Sequence, residues 1–342
     1  MKHNNELDFS RAVLIVLVIL VHIVNFGNLY PLAKSSILAF MMTTFLFITG
    51  YLVNIDKSIK DFLRYLLQIF LPYIIFVMGY AVLSLYLPVR DGIETLDWPT
   101  IVNVLCVKSI GPYWFFHTMI VCGTIYYTVF QTFRSLSTAA KYSLFAAALI
   151  AVALWTPILN IKAAVYYFVG VGIRLYVGDF YRVYVKSLWA ALPFGLLISN
   201  PAFHDWGAIS ILICSVCFLC FSSFLFTFFK GRAKTVAEYI SRNTFPIFVF
   251  HPIFTMLSKF LLPFFRFEPT GLLHAFFTIV MCIAGSLCMA KLMDRTRLSF
   301  LWGVKEFLDN SNGTSGDRLF VLLSFNGMLF SSARFFSRVV ST

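Results

Sequence analysis

Long apolar stretches separated by short polar segments recur along the whole chain. A run of about twenty apolar residues is long enough for one helix to cross the hydrocarbon core of a bilayer. The pattern therefore predicts an all-α, polytopic transmembrane bundle of about ten spans. The predicted spans are residues 10–27, 36–54, 63–87, 112–133, 141–157, 162–179, 186–200, 206–229, 244–265 and 271–292.

The composition supports a membrane protein. Hydrophobic residues make up 60% of the 342 residues and charged residues only 12%, which is too little polar surface to cover a water-soluble globule. We predict one membrane domain over residues 1–305 and a flexible or membrane-associated tail over residues 306–342. The acidic residues before the first apolar run and its length favour a retained first helix over a signal peptide.

The charged residues of the loops predict an orientation. Lys and Arg are concentrated in alternate loops, around residues 57–64, 134–141, 182–186 and 230–242, and after the last span. The other loops hold acidic residues such as Glu94, Asp97, Asp205 and Glu268. Because cytoplasmic loops carry the excess of basic residues, both termini are predicted to be cytoplasmic. The net charge of +12 then reflects contact with anionic membrane lipid, and no nucleic-acid partner is predicted.

The sequence lacks the short motifs of several soluble enzyme classes. It contains no HExxH, no GxSxG and no Walker phosphate-binding loop. Cys214, Cys217 and Cys220 repeat at helical spacing, but their apolar surroundings favour helix packing, and no metal site is predicted.

The first apolar helix carries three ionisable residues on one stripe. Asp8 and Arg11 are i, i+3 neighbours that can pair, and His22 follows Arg11 by about three turns within about 20° of the same face. His22 therefore lies roughly 16 Å deeper than Arg11. Asp8 and Arg11 alone fit interfacial anchors, and a lone histidine fits a packed core residue. Their shared face favours a polar cleft that leads from the cytosol to a titratable group near the membrane centre.

Several segments resemble the membrane acyltransferase-3 family. The spacing of Asp8, Arg11 and His22 resembles the family's first helix, which reads D-x-x-R followed by ten residues and a histidine. The further matches follow in the family's order: FLFITGYLV (Phe45–Val53), LRYLLQIFLPY (Leu63–Tyr73), GPYWFFHTMI (Gly111–Ile120), YYFVGVGI (Tyr166–Ile173) and SRNTFPIFVFHPIF (Ser241–Phe254). The resemblance covers about residues 6–305.

The resemblance implies transfer of an acyl group, usually acetyl, from cytosolic coenzyme A to a sugar or other acceptor. His22 is implied as the general base, Arg11 as a group that binds the acyl donor or positions His22, and Asp8 as the residue that orients Arg11. Histidine suits proton transfer because its unperturbed pKa is about 6.5. Acyl-CoA is expected as a co-substrate, with no bound cofactor.

Other candidates have both a functional and a structural interpretation. Arg64 and Lys60, with Lys57, are predicted to hold the donor's nucleotide, although Arg64 also fits a positive-inside anchor and Gln68 stands where the family often has a second base. Three further residues are predicted to contact substrate: Trp114, His117 and His251. Trp114 also fits an interfacial aromatic residue, and His251 without the family match fits a packed histidine.

The predicted function is an O-acyltransferase of the cell membrane, most simply the bacterial cytoplasmic membrane. It would acylate a hydroxyl of a cell-surface glycan or a lipid-linked sugar, with membrane lipid as its surroundings. Two alternatives stay open at this point. A ten-helix secondary transporter would show similar intramembrane charges, although the sequence has no evident internal repeat, and a polysaccharide-export component would need no catalytic site.

Overall fold

The computed structural model describes residues 5–86, 92–299, 306 and 308, and all regular structure within them is helical. This confirms the predicted all-α class. The predicted tail lies outside the described residues except for residues 306 and 308. The α-helices are α1 (Asn5–His22), α2 (Val24–Leu29), α3 (Pro31–Leu52), α4 (Ile59–Ser84), α5 (Trp98–Cys106), α6 (Trp114–Thr132), α7 (Thr138–Trp155), α8 (Ile161–Tyr176), α9 (Ala191–Ser199), α10 (Ile209–Phe226), α11 (Gly231–Arg242), α12 (Thr244–Leu257) and α13 (Leu272–Arg295).

Polar side chains at the loop ends explain where several helices begin. The side chains of Ser58, Asp97, Ser137 and Asn160 each accept a hydrogen bond from a backbone N–H in the first turn of α4, α5, α7 and α8. These N–H groups have no partner within their own helices, so the caps satisfy donors that hydrocarbon would leave unpaired. The caps therefore fix the junctions between polar loops and apolar helices.

A helix overlaps each of the ten predicted spans, but the helices differ in their ability to cross a membrane. Six described helical segments are long and apolar enough, and a seventh is added if the bent α5–α6 pair is taken as one span. Helix α1 carries Glu6, Asp8 and Arg11 within its 18 residues. Helix α9 has only nine residues, which span about 13 Å and cannot cross the hydrocarbon core alone. A multi-pass membrane bundle is supported, and the count of ten stays a prediction.

The prediction of one continuous helix over residues 10–27 is wrong. Helix α1 ends at His22, Ile23 has an extended backbone with φ −76° and ψ 107°, and the six-residue helix α2 follows. Neither glycine nor proline stands at the break, so no local sequence signal predicts it. The break places His22 at the C-terminal end of a helix inside the bundle.

Contacts between loops gather the basic segments at one end of the bundle, which we call the basic end. Gln131 donates to the Ile55 carbonyl at 2.7 Å, and the Tyr51 hydroxyl donates to the Gly178 carbonyl at 3.0 Å. At the N-terminus of α1, Glu6 forms an ion pair with Lys186 at 2.5 Å. The segments that carry most of the basic residues therefore face one side.

The acidic loops gather at the opposite end. Lys162 and Asp205 form an exposed ion pair at 2.6 Å, and the Tyr30 hydroxyl donates to the Thr270 carbonyl, two residues from Glu268. The nine-residue helix α5 fills part of the long loop between α4 and α6 on this side. The two ends thus differ in charge as the positive-inside rule requires of two membrane faces.

We predict that the basic end is cytoplasmic. In a variant with all cysteines replaced, a cysteine at position Glu94 should react with a membrane-impermeant maleimide in intact cells. A cysteine at position Lys234 should react only after permeabilisation. Labelling of both positions from outside would overturn the orientation.

Two glycines allow the backbones of α3 and α8 to approach each other closely. A Cβ atom added at Gly50 would lie 2.1 Å from the Tyr167 carbonyl oxygen, and one at Gly170 would lie 2.1 Å from the Phe47 carbonyl oxygen. Both obstacles are backbone atoms, which cannot rotate away. Gly50 and Gly170 belong to two of the family-like motifs, so these glycines serve close helix packing.

Gly170→Ala should push α3 and α8 apart. Overpacking of this kind typically costs about 1–3 kcal/mol, so the unfolding midpoint in detergent should fall by several degrees. Gly79→Ala is the matched control, because Gly79 lies within α4 with no atom within 4 Å of an added Cβ. Equal midpoints for the two variants would contradict the packing role.

Candidate active site

The predicted pair near the start of α1 is formed. The Arg11 Nη1 atom donates to the Asp8 Oδ1 atom at 3.0 Å, and the Arg11 side chain is only 4% exposed. The other terminal nitrogen of Arg11, Nη2, is buried and has no hydrogen-bond partner. A buried guanidinium with an unused donor can bind an anionic or carbonyl oxygen of a ligand.

Arg11 lines an apolar cavity with about 630 Å³ of empty space, part of it open to solvent. Two threonines, Thr49 and Thr244, are the other polar residues among its described walls. The apolar walls come from α3, α4, α6 and α12: Phe45, Ile48, Leu52, Ile69, Phe115, Phe116, Met119, Phe245 and Phe248. Arg11 is therefore the one charged group among the described residues that line this cavity.

His22, the last residue of α1, has one ring nitrogen tied to the backbone. Its Nδ1 atom lies 2.7 Å from the Val18 carbonyl oxygen. A carbonyl can only accept, so Nδ1 must carry the hydrogen, and in the neutral ring Nε2 is the basic nitrogen. The C-terminal end of a helix also favours a nearby cation, which suits a group that gains a proton during reaction.

His251 of α12 contacts His22 directly. The two ring centroids are 5.2 Å apart, with an edge-on angle of 71°. His251 is fully buried, its Nδ1 atom lies 2.8 Å from the Phe248 carbonyl oxygen, and its Nε2 atom has no partner. The structure therefore brings together two histidines that stand 229 positions apart in sequence.

Phe248 links the histidine pair to the cavity. Its ring lines the cavity, and its centroid lies 5.8 Å from that of His251. Leu52 and Thr244, near the basic end, line the same cavity beside Arg11. A ligand in this cavity would thus extend from the level of Arg11 towards the two histidines.

The predicted donor-binding bases lie at the start of α4 and outside the described cavity wall. Lys60 is exposed, and the half-exposed Arg64 donates to Asp61 at 3.4 Å. Lys57, in the preceding loop, is buried and lies 4.8 Å above the Tyr65 ring. Burial lowers the pKa of Lys57 to about 8, although nearby Asp61 opposes the shift. These residues are not among the described residues that line the cavity. They are better suited to attract an anionic ligand at its entrance.

Trp114 and His117 pack against residues outside the histidine pair. Trp114 packs against Trp206 at a centroid distance of 5.6 Å. The His117 Nε2 atom donates to the Cys106 carbonyl at 3.1 Å, and its ring stacks on Tyr73 at 6.1 Å. Both residues thus lie towards the end of the bundle opposite the basic end, and contact with substrate stays a prediction for them.

The two cavity threonines are site residues that were not predicted from the sequence. Thr49 lies in FLFITGYLV, one of the family-like segments, and this was the available signal. The Thr49 hydroxyl donates to the Phe45 carbonyl within α3, and the Thr244 hydroxyl, at the start of α12, donates to the Ser241 carbonyl near the end of α11. Their oxygens remain able to accept a hydrogen bond from a ligand.

The fold and this site define a multi-pass helical membrane protein with a buried arginine in the wall of an apolar cavity and a histidine pair next to Phe248 of that wall. The chain belongs to the acyltransferase-3 family, because the family model described as an acyltransferase domain matches residues 4–291. It is therefore a membrane acyltransferase by family. No curated protein and no solved structure matches the chain significantly.

Proposed function

We propose that this protein is an integral-membrane O-acyltransferase of the bacterial cytoplasmic membrane. It transfers an acyl group, acetyl in the simplest case, from cytosolic acyl-CoA to a hydroxyl of a cell-surface glycan or lipid-linked sugar. The observation that carries the proposal is the buried Arg11 with its unused Nη2 donor, in the wall of a cavity that leads towards His251 and His22.

The donor would enter from the basic end. Its nucleotide and phosphates are polyanionic and suit the approach formed by Lys57, Lys60 and Arg64. The thin pantetheine arm then extends along the cavity, and Arg11 Nη2 donates to one of its oxygens or to a phosphate. The separation of roughly 16 Å between Arg11 and His22 along α1 is of the length that such an arm spans.

The chemistry needs one proton transfer and one acyl transfer. The Nε2 atom of His22 takes the proton from the acceptor hydroxyl. The oxygen of that hydroxyl attacks the thioester carbonyl carbon at the same time. The carbon–sulfur bond breaks, and the departing thiolate takes up the proton. Asp8 holds Arg11 in place for the donor throughout the reaction.

The acceptor would approach from the other end of the bundle. Trp114 and Trp206 supply aromatic faces there, which suit the apolar face of a sugar ring. An acceptor on that side and a donor on the basic side would meet at the histidine pair. The arrangement matches an enzyme that modifies a surface glycan or a lipid-linked precursor.

The test compares glycans of cells that lack the protein with glycans of cells that carry it. Alkali-labile acyl groups on the surface glycan should be present with the natural chain and absent with a His22→Ala chain expressed at the same level. Equal acyl content in all strains would contradict the proposed function. Solute uptake that depends on the chain, without glycan acylation, would instead favour a transporter.

A further inference from the structure

His22 and His251 have the same hydrogen-bond pattern. In each ring the Nδ1 atom donates to a carbonyl of its own helix, Val18 for His22 and Phe248 for His251. Because a carbonyl cannot donate, both neutral rings keep their lone pair on Nε2. The structure therefore places two imidazoles of the same tautomer in contact, with basic Nε2 atoms on both.

The Nε2 atom of His251 is the unusual member of this pair. It is buried, has no hydrogen-bond partner, and belongs to a side chain with no exposed surface. Buried polar atoms are nearly always satisfied, and an exception calls for an explanation such as a role in catalysis. The unpaired Nε2 atom of His251 can accept a hydrogen bond. A donor for it becomes available when the neighbouring His22 is protonated.

We infer that His251 is a positioning residue that shares the transferred proton with His22; this rests on the proposed function. When the acceptor's O–H bond breaks, the proton moves to His22 Nε2, and the lone pair of His251 Nε2 stabilises the resulting imidazolium. The new carbon–oxygen bond forms, the carbon–sulfur bond breaks, and the proton passes to the thiolate. No other reactant is needed, and the pair ends with the protons it began with.

This role differs from the substrate contact predicted for His251 from the sequence. No surface of His251 is exposed, and Phe248, which lines the cavity, contacts its ring. A group placed in this way acts on the reaction through His22. Its loss should therefore change the rate of the chemical step more than the binding of the donor.

Two substitutions separate this role from a purely structural one. The amide of asparagine reaches the place of Nδ1, so His251→Asn can keep the bond to the Phe248 carbonyl while losing the acceptor at Nε2. The longer His251→Gln side chain brings its amide oxygen near the place of Nε2 and can keep that acceptor. His251→Asn thus keeps the donor function of Nδ1, and His251→Gln keeps the acceptor function of Nε2.

The experiment measures kcat and KM for acetyl-CoA with the full-length protein in lipid nanodiscs. We expect kcat to fall about 10–100-fold in His251→Asn and less than about 5-fold in His251→Gln, with KM within about 3-fold in both. If the asparagine variant does not bind CoA because it misfolds, His251→Leu takes its place as the variant without an acceptor.

The outcomes separate the two proposals. Natural kcat in the variants without an acceptor would overturn the role of His251 while leaving the acyltransferase function intact. An equal loss in His251→Gln, or a loss expressed mainly in KM, would also overturn it, since packing or substrate contact would then explain the effect. Absence of transfer by the natural chain would contradict the proposed function itself.

Discussion

His22→Ala should abolish acyl transfer and leave acyl-CoA binding largely intact. Losing a positioned general base typically lowers the rate by roughly 10²–10⁴-fold. In the proposed mechanism Arg11 holds the donor about three helical turns nearer the basic end. If the His22 imidazole is neutral before the reaction, its removal takes away no charge that would hold the nucleotide. Single-turnover transfer rates and equilibrium binding of a labelled CoA analogue measure the two effects separately.

His22→Gln is the control for lost hydrogen bonding. Its amide can keep a polar contact at this position but cannot shuttle a proton, so transfer should stay as low as in His22→Ala. Glycan acylation at the natural level by either variant would remove His22 from the mechanism. Joint loss of donor binding and transfer would instead mean that His22 shapes the cleft.

Arg11→Ala should weaken acyl-CoA binding about 10–100-fold, because a hydrogen bond from a charged group contributes about 1.5–3 kcal/mol. Arg11→Lys should restore only part of this affinity, since a single ammonium cannot reproduce the geometry of a guanidinium. Binding of a labelled CoA analogue to the purified variants measures the change. Natural affinity in Arg11→Ala would reduce Arg11 to a structural residue.

The buried partner of Arg11 calls for a second variant. Removing Arg11 alone takes its ion pair away from the buried Asp8 carboxylate, which by itself can cost about 3–5 kcal/mol of stability. The double variant Arg11→Ala with Asp8→Ala removes both charges. It should regain most of the lost unfolding midpoint yet bind acyl-CoA no better than Arg11→Ala, and recovery of binding would contradict direct contact between Arg11 and the donor.

Local features of the site could be predicted from the sequence. Asp8 and Arg11 are three residues apart on one helix, so helical geometry alone brings their side chains together, and the pair is formed. The position of His22 on α1 follows from the same geometry, since α1 is continuous up to this residue. Apolar run length likewise located the helices, because each buried or lipid-facing helix needs such a run.

Features that depend on tertiary contact could not be predicted. The contact of His22 with His251 joins α1 to α12. No local pattern in either helix indicates that the two histidines will be in contact. The break at Ile23 has no glycine or proline to signal it. The chain has 40 phenylalanines, so composition could not indicate that Phe248 and four others would line the cavity.

We propose that this chain transfers an acyl group from coenzyme A to a hydroxyl acceptor with His22 as the general base. The most direct test supplies radiolabelled acetyl-CoA to the purified full-length protein in lipid nanodiscs, with a glycan acceptor present. The account predicts label on the acceptor with the natural chain and at least about 10²-fold slower labelling with His22→Ala. Natural protein that binds CoA but neither transfers nor hydrolyses the acetyl group, or a His22→Ala variant as fast as the natural chain, would contradict it.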